Sequence, residues 1–190
     1  MKRVGVSVLA FGLMACTQPA PETPATTAEV PVVGTVRAGC NANATRDWSA
    51  VGSQYYIIEA EAHGATCGEA VATIRIKSTE GQVLFTHDYP VSAVPLAFRP
   101  DNDQTGLRDE IESWTQNQSE TGSAGELPAW PAGAQRPPGF EPAVARNVYE
   151  NARGNQSALF CYADGGESNA CVSVAGTTAT LLGSKTPERE

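Results

Sequence analysis

"AVATIRIKSTEGQVLFTHDY", residues 70–89, is the most regular stretch of the chain. Two runs of alternating apolar and polar side chains flank the tetrad Ser78-Thr79-Glu80-Gly81. Alternation with period two marks a half-buried strand, and a short glycine-containing link between two such runs marks a β-hairpin. With the tetrad as the loop, Lys77 faces Gln82, Ile76 faces Val83, Ile74 faces Phe85 and Ala72 faces His87. Ile74, Ile76, Val83 and Phe85 then share the core face, while Arg75, Lys77 and Thr86 point to solvent. A slip of one residue would turn every side chain to the other face, so this register is a sharp expectation.

Working outward, "QYYIIEAEA" (54–62) places Tyr56, Ile58, Ala60 and Ala62 on one face against Ile57, Glu59 and Glu61 on the other. "DQTGLRDEIESWTQNQ" (103–118) changes the period. Leu107, Ile111 and Trp114 recur at helical spacing, and Asp101, Asp103, Asp109 and Glu110 crowd the start, where the helix dipole favours negative charge. "GSAGELPAWPAGAQRPPGFEP" (122–142) is too rich in proline and glycine for regular structure. A second helix is expected from Pro142 to about Arg153, with Val144, Ala145, Val148, Tyr149 and Ala152 as its buried stripe and Gly154 as its stop. "SALFCYADGGESNACVSVAGTTATLLG" (157–183) reads as a hairpin turning at Gly165-Gly166 and a last strand. Strands, helix, irregular segment, helix, strands is the order of an α+β fold with an antiparallel sheet. The expectation is a single domain over residues 37–190, with one sheet of five to six strands and two helices on one side.

The start of the chain is of a different kind. Met1-Lys2-Arg3 is followed by an apolar run from Val4 to Leu13. As a helix this run reaches roughly 15 Å, about half of a ~30 Å hydrocarbon core, so it reads as a secretory signal and not a span. Leu13-Met14-Ala15-Cys16 resembles the lipobox of bacterial lipoproteins. The resemblance covers residues 1–16 and implies cleavage before Cys16 and acylation of that cysteine. Residues 1–15 are then a signal peptide. Residues 16–36, rich in proline and threonine, form a disordered tether. Thr17 behind the anchor cysteine implies, by resemblance to lipoprotein sorting in Gram-negative bacteria, the outer membrane. Several acyl chains give stable anchoring, whereas one gives only marginal binding.

The chain has five cysteines. With Cys16 acylated, Cys40, Cys67, Cys161 and Cys171 remain, and an oxidising compartment makes two disulfides the default. Of three pairings, Cys40–Cys67 and Cys161–Cys171 are favoured, because the Gly165-Gly166 turn sets Cys161 opposite Cys171. The formal net charge is −8, and removal of residues 1–15 takes away two positive charges and no acid. Such a surface argues against nucleic acid and anionic head groups as partners.

Candidate chemistry is sparse. His63 and Cys67 are four apart and Cys40 is at hand, but zinc needs four ligands and no C-x-x-C or paired histidine occurs, so no metal or cofactor is expected. No G-x-S-x-G elbow is present, since Gly52-Ser53 runs into Gln54. His87 is the base to consider first, yet its neighbour Asp88 points to the opposite face of a strand. Glu59 and Glu61 share a face roughly 6.5–7 Å apart, near the separation in inverting glycosidases, but pairing with Arg75 or Lys77 across strands accounts for them more simply. Asp164-Gly165-Gly166-Glu167 offers calcium ligands and is read as an acidic turn. Trp130 and Phe140, in the long Pro/Gly segment, either line a binding groove or tack the loop to the core. No catalytic set is assigned. The leading expectation is a lipid-anchored envelope module that binds a protein or polymer partner. The alternatives are an inhibitor of an envelope-attacking enzyme such as lysozyme, and a hydrolase using His87.

Overall fold

Four hairpin-connected strands open the described part of the chain, which in this computed structural model is residues 39–186. The readings made for the signal segment 1–15, Cys16 and the tether to residue 36 lie outside it. Strand β1 (Cys40–Ala50) pairs with β2 (Gln54–Gly64), β2 with β3 (Val71–Ser78) and β3 with β4 (Val83–Pro90), all antiparallel. The faces follow the alternation. Tyr56, Ile58, Ala60 and Ala62 are buried, and so are Ala72, Ile74 and Ile76.

The register of β3 against β4 differs from the one expected. Ile76 pairs with Phe85, Ile74 with His87 and Ala72 with Tyr89, while Val83 sits opposite Lys77 across an irregularity at Ile76/Lys77. The turn and that irregularity explain the shift. The Gly81 amide donates to the Ser78 carbonyl and the Ser78 amide donates to that of Gln82. Gly81 takes φ +85°, a left-handed conformation that glycine adopts at no steric cost. Ser78 thus pairs with Gln82, which shortens the expected loop by one residue, and the irregularity at Ile76/Lys77 adds a second step, so the pairing moves by two and the faces of Phe85 and His87 are preserved. Val83 is left 48% exposed, not in the core.

Helix α1 (Gln104–Thr115) begins where the acidic cluster indicates. Asp103 is its N-cap, with a side-chain oxygen accepting from the Gly106 amide at 2.8 Å. Leu107, Ile111 and Trp114 are buried as the stripe requires. Strand β5 (Ser119–Ser123) and the three-residue β6 (Phe140–Pro142) follow, then helix α2 (Arg146–Gly154). Pro142 is thus a strand residue paired with Gly183, and α2 starts later than the sequence suggested, so Val148 is 40% exposed while Tyr149 and Ala152 face inward. The chain ends in β7 (Ala158–Ala163), β8 (Asn169–Ala175) and β9 (Thr178–Lys185). Both disulfides, Cys40–Cys67 and Cys161–Cys171, join the expected partners, the second between directly paired residues of β7 and β8.

The fold is α+β, but its strands make two sheets, not one of five to six strands. The first has order β1-β2-β3-β4 and the second β5-β7-β8-β9-β6. The reason lies in β7, whose six residues are all buried. Phe160 and Tyr162 face the first sheet, where Trp48 meets Phe160 at 5.7 Å between ring centroids. Leu159 and Cys161 face the other way, into a second cluster with Leu182, Phe140, Tyr149 and Ala152. A strand apolar on both sides needs a layer on each, so the second sheet folds over the first instead of extending it. The helices are correspondingly separated. α1 shares the core between the sheets, with Trp114 Nε1 donating to the Ala163 carbonyl at 2.8 Å, and α2 covers the outer face of the second sheet.

The described residues form one compact unit. Two measurements probe it. Removing Cys161–Cys171 by paired alanine substitutions should lower unfolding free energy by about 3 kcal/mol, and removing Cys40–Cys67 by about 3–4, read from urea unfolding with midpoint and slope both fitted, since a less constrained unfolded chain steepens the slope. Burial raises the hydroxyl pKa of Tyr89 and Tyr162 and pushes that of Tyr149 to about 12. The unfolded chain then releases these protons first, so stability is full below pH 10 and falls as pH rises from there through about 12. Phenolate absorbance should appear together with unfolding for these rings.

Candidate functional site

Both sheets end in turns on the same side, and the turns enclose a cleft of about 400 Å³. The β1–β2 connection brings Val51 and Gln54 to it, the end of β5 brings Ser123, and the link from α2 to β7 brings Asn155, Gln156 and Ser157. The exposed Val51 and Ala175 form its apolar part, the buried Ala158 and Val174 lie at its base, and the β8–β9 turn closes it with Gly176. The register explains why these meet. Ser123 pairs with Ala158 and Ala158 with Val174, a single row across three strands. Behind this row the Tyr56 hydroxyl lies 2.7 Å from Gln54 Oε1 and 3.2 Å from the Gly176 carbonyl, so one proton ties the first sheet to the turn of the second. Burial raises the Tyr56 pKa, which keeps that donor protonated.

The cleft lining contains carboxamides, hydroxyls, backbone and aliphatic groups, and none of its side chains ionises. Gln54 uses Oε1 for Tyr56, which leaves its NH₂ group for a ligand. Asn155 donates to Asn151 Oδ1 at 3.0 Å. The side chains of Gln156 and Ser157 make no hydrogen bond among the described residues. The backbone here is unusual. Ser53 (φ 58°) and Gln156 (φ 51°) are the two non-glycine residues with positive φ among the described residues, and both flank this cleft, as do Gly52 (φ 72°) and Gly176 (φ 59°). The left-handed region costs an ordinary residue about 1–2 kcal/mol.

The residues singled out from sequence lie elsewhere. Phe140 is 1% exposed and belongs to the core under α2. Trp130 is half-buried, its ring edge-on to Tyr149 at 5.6 Å with the Arg146 guanidinium over it at 5.8 Å. The Trp130 amide donates to Glu150 Oε1, and Arg146 and Arg153 donate to the carbonyls of Trp130 and Leu127. The Pro/Gly segment is therefore fastened to α2 through its own backbone, with both aromatics as anchors. His87 lies on the edge strand β4 in a stripe with Phe85 (6.3 Å) and Tyr89 (4.5 Å), and among the described residues it has neither an acid nor a hydroxyl as hydrogen-bond partner. Asp88 is on the other face, accepting from Thr73.

Glu59 and Glu61 are held by cations across the strand. Arg75 reaches Glu59 at 3.1 Å and Glu61 at 2.6 Å, and Lys77 reaches Glu59 at 2.6 Å. The hydrogen bond from Arg75 holds the Glu61 carboxyl below the usual carboxylate range, the reverse of what a general acid needs. His63 Nδ1 lies 2.9 Å from Asn41 Oδ1, Cys67 is in a disulfide, and Asp164 accepts from the Ser184 hydroxyl at 2.6 Å. No group of three or more His, Cys, Asp or Glu is placed to hold a metal among the described residues. A second cavity, about 390 Å³, is lined by Thr45, Arg46, Gln116 and Asn117, but Arg46 is spent on the C-terminal carbonyl of α1 (Thr115, 3.0 Å).

Sequence reasoning missed the cleft. Its signal was present as short turn motifs rich in amides and hydroxyls, Gly52-Ser53-Gln54 and Gly154-Asn155-Gln156-Ser157, yet only the strand order brings them together. Comparisons with known protein families, with curated proteins and with solved structures find no match to this chain.

The backbone geometry gives a direct test. Gln156→Gly and Ser53→Gly relieve left-handed strain but add chain entropy to the unfolded state, so each should leave stability within about 1 kcal/mol of wild type. Gln156→Val should cost about 1–2 kcal/mol or more, because a β-branched residue tolerates positive φ worst. Urea denaturation of the three variants measures both.

Proposed function

We propose that the protein is a lipid-anchored binding module of the bacterial cell envelope, held through Cys16 and facing the periplasm or the cell surface, with the outer membrane the favoured site. The basic start, the short apolar run and Leu13-Met14-Ala15-Cys16 support the anchor, and two disulfides suit an oxidising compartment. The observation that carries the binding role is the lining of the cleft. A cavity within the usual range of roughly 300–1,000 Å³ for small-molecule sites, lined by neutral donors and acceptors and a small apolar wall, is suited to holding a ligand by hydrogen bonds. It offers no proton acceptor near neutral pH and no activated nucleophile, so binding accounts for it with fewer additions than catalysis does. The partner is an envelope protein or polymer, and the acidic surface disfavours nucleic acid.

Membrane fractionation of cells carrying Cys16→Ser tests the anchor. The variant should leave the membrane pellet and appear in the soluble envelope fraction, and mass spectrometry of the wild type should find acyl chains on Cys16. Unchanged membrane association of Cys16→Ser would remove the anchored reading. Cross-linking of the full chain in intact envelopes, followed by pull-down, should recover a discrete partner for the wild type.

A further inference from the structure

We infer that the cleft between the sheet ends binds a neutral saccharide through Gln54, Gln156 and Ser157. This rests on the reading of the chain as a binding module and adds the ligand class. The argument proceeds by matching chemistry to the wall. A charged ligand would give up hydration against a lining without a single ionisable side chain. The net charge of −8 further disfavours an anionic polymer. An apolar ligand would strip water from the Gln156 and Ser157 side chains, neither of which has another partner among the described residues, and leave them unpaired. What remains is a neutral molecule dense in groups that both donate and accept.

Two such classes are common, peptides and sugars. Extended peptides gain affinity by adding a strand to a free sheet edge. The row Ser123, Ala158, Val174 that crosses this cleft lies at strand ends, and Ala158 and Val174 lie on strands already paired on both sides. Ser123 belongs to the edge strand β5, but it is the one β5 residue that lines the cleft, too short a length of edge for a ligand strand to pair with. Sugar hydroxyls, by contrast, pair with a carboxamide through its carbonyl and NH₂ at once, and the C–H face of a pyranose lies against small apolar surface of the kind that the exposed Val51 and Ala175 supply. The left-handed backbone at Ser53 and Gln156 fixes the donors before a ligand arrives, and strain of this sort is retained where the surrounding structure has a use for it.

The test is titration of the full chain, in a detergent that is not a glycoside, with chitotriose and with maltotriose, followed by calorimetry and by backbone amide NMR. At least one sugar should bind saturably and shift the amide signals of Gln54, Gln156 and Ser157. Gln156→Gly should weaken that binding about tenfold or more while the protein remains folded and melts within a few degrees of wild type, and Ser157→Ala should weaken it as well. Absence of saturable binding by both sugars, shifts confined to other residues, or wild-type affinity in both variants overturns the inference. Binding of trialanine at the same signals in place of sugar overturns the saccharide assignment and leaves the module reading standing. So does capture of an envelope protein by a chain that ignores both sugars.

Discussion

The burial of β7 on both faces is the constraint from which the rest of the molecule follows. A strand with Phe160 and Tyr162 on one side and Leu159 and Cys161 on the other cannot lie on a solvent-facing sheet. It demands a layer above and a layer below. The first sheet supplies one, with Trp48, Tyr56 and the Ile58–Ile74–Ile76 patch, and α1 fills the remaining side of that core with Trp114. Helix α2 and the Pro/Gly segment supply the other. Without that second cover Leu159, Cys161 and Leu182, which pack against its Phe140 and Tyr149, would face solvent. The long proline-rich segment is thus a structural layer made without regular structure, its backbone carbonyls at Leu127, Pro128 and Trp130 satisfied by Arg153, Tyr149 and Arg146.

Much of this was legible in the sequence, and the parts that were not share a cause. Periodicity identified β2, β3, α1 and the β7–β8 hairpin because each carries its own apolar face. The same logic yielded the cysteine pairing, since one turn placed Cys161 against Cys171. Strand β1 was missed because "CNANATRDWSA" offers mostly small and polar residues, and it is a strand only because β2 lies beside it. β5 and the three residues of β6 are strands for the same reason, pairing with β7 and β9 far along the chain. Pro142 looked like a helix start by local preference, and a non-local pairing with Gly183 took it into a sheet. The hairpin register failed by one turn residue and one bulge, details that hydrogen bonding at Ser78 and Gln82 and the irregularity at Ile76/Lys77 decide and periodicity does not. The cleft failed most completely, because its members come from four turns whose meeting is a property of sheet order alone.

Charge is distributed in a way that separates two surfaces. The outer face of the first sheet gathers Glu59, Glu61, Arg75 and Lys77 into cross-strand pairs, partly exposed and worth at most about 1 kcal/mol each. The end of the sandwich has none of this. Acids and bases are common in the chain, so a cleft lined wholly by neutral groups stands apart from the surface around it.

Strand β4 closes the first sheet with one side unpaired, a template to which another copy of the chain could add. Several features blunt it. The irregularity where Val83 meets Lys77 interrupts the ladder at one end, and Pro90, which has no amide proton to offer, ends the strand at the other. Asp88 projects from its solvent side, and every copy carries the same net negative charge. With the proposed anchor at Cys16, neighbours would stay at high local concentration in two dimensions, the condition under which open edges polymerise. The edge is therefore built to remain single, and crowding at a surface need not turn this sheet into a fibre.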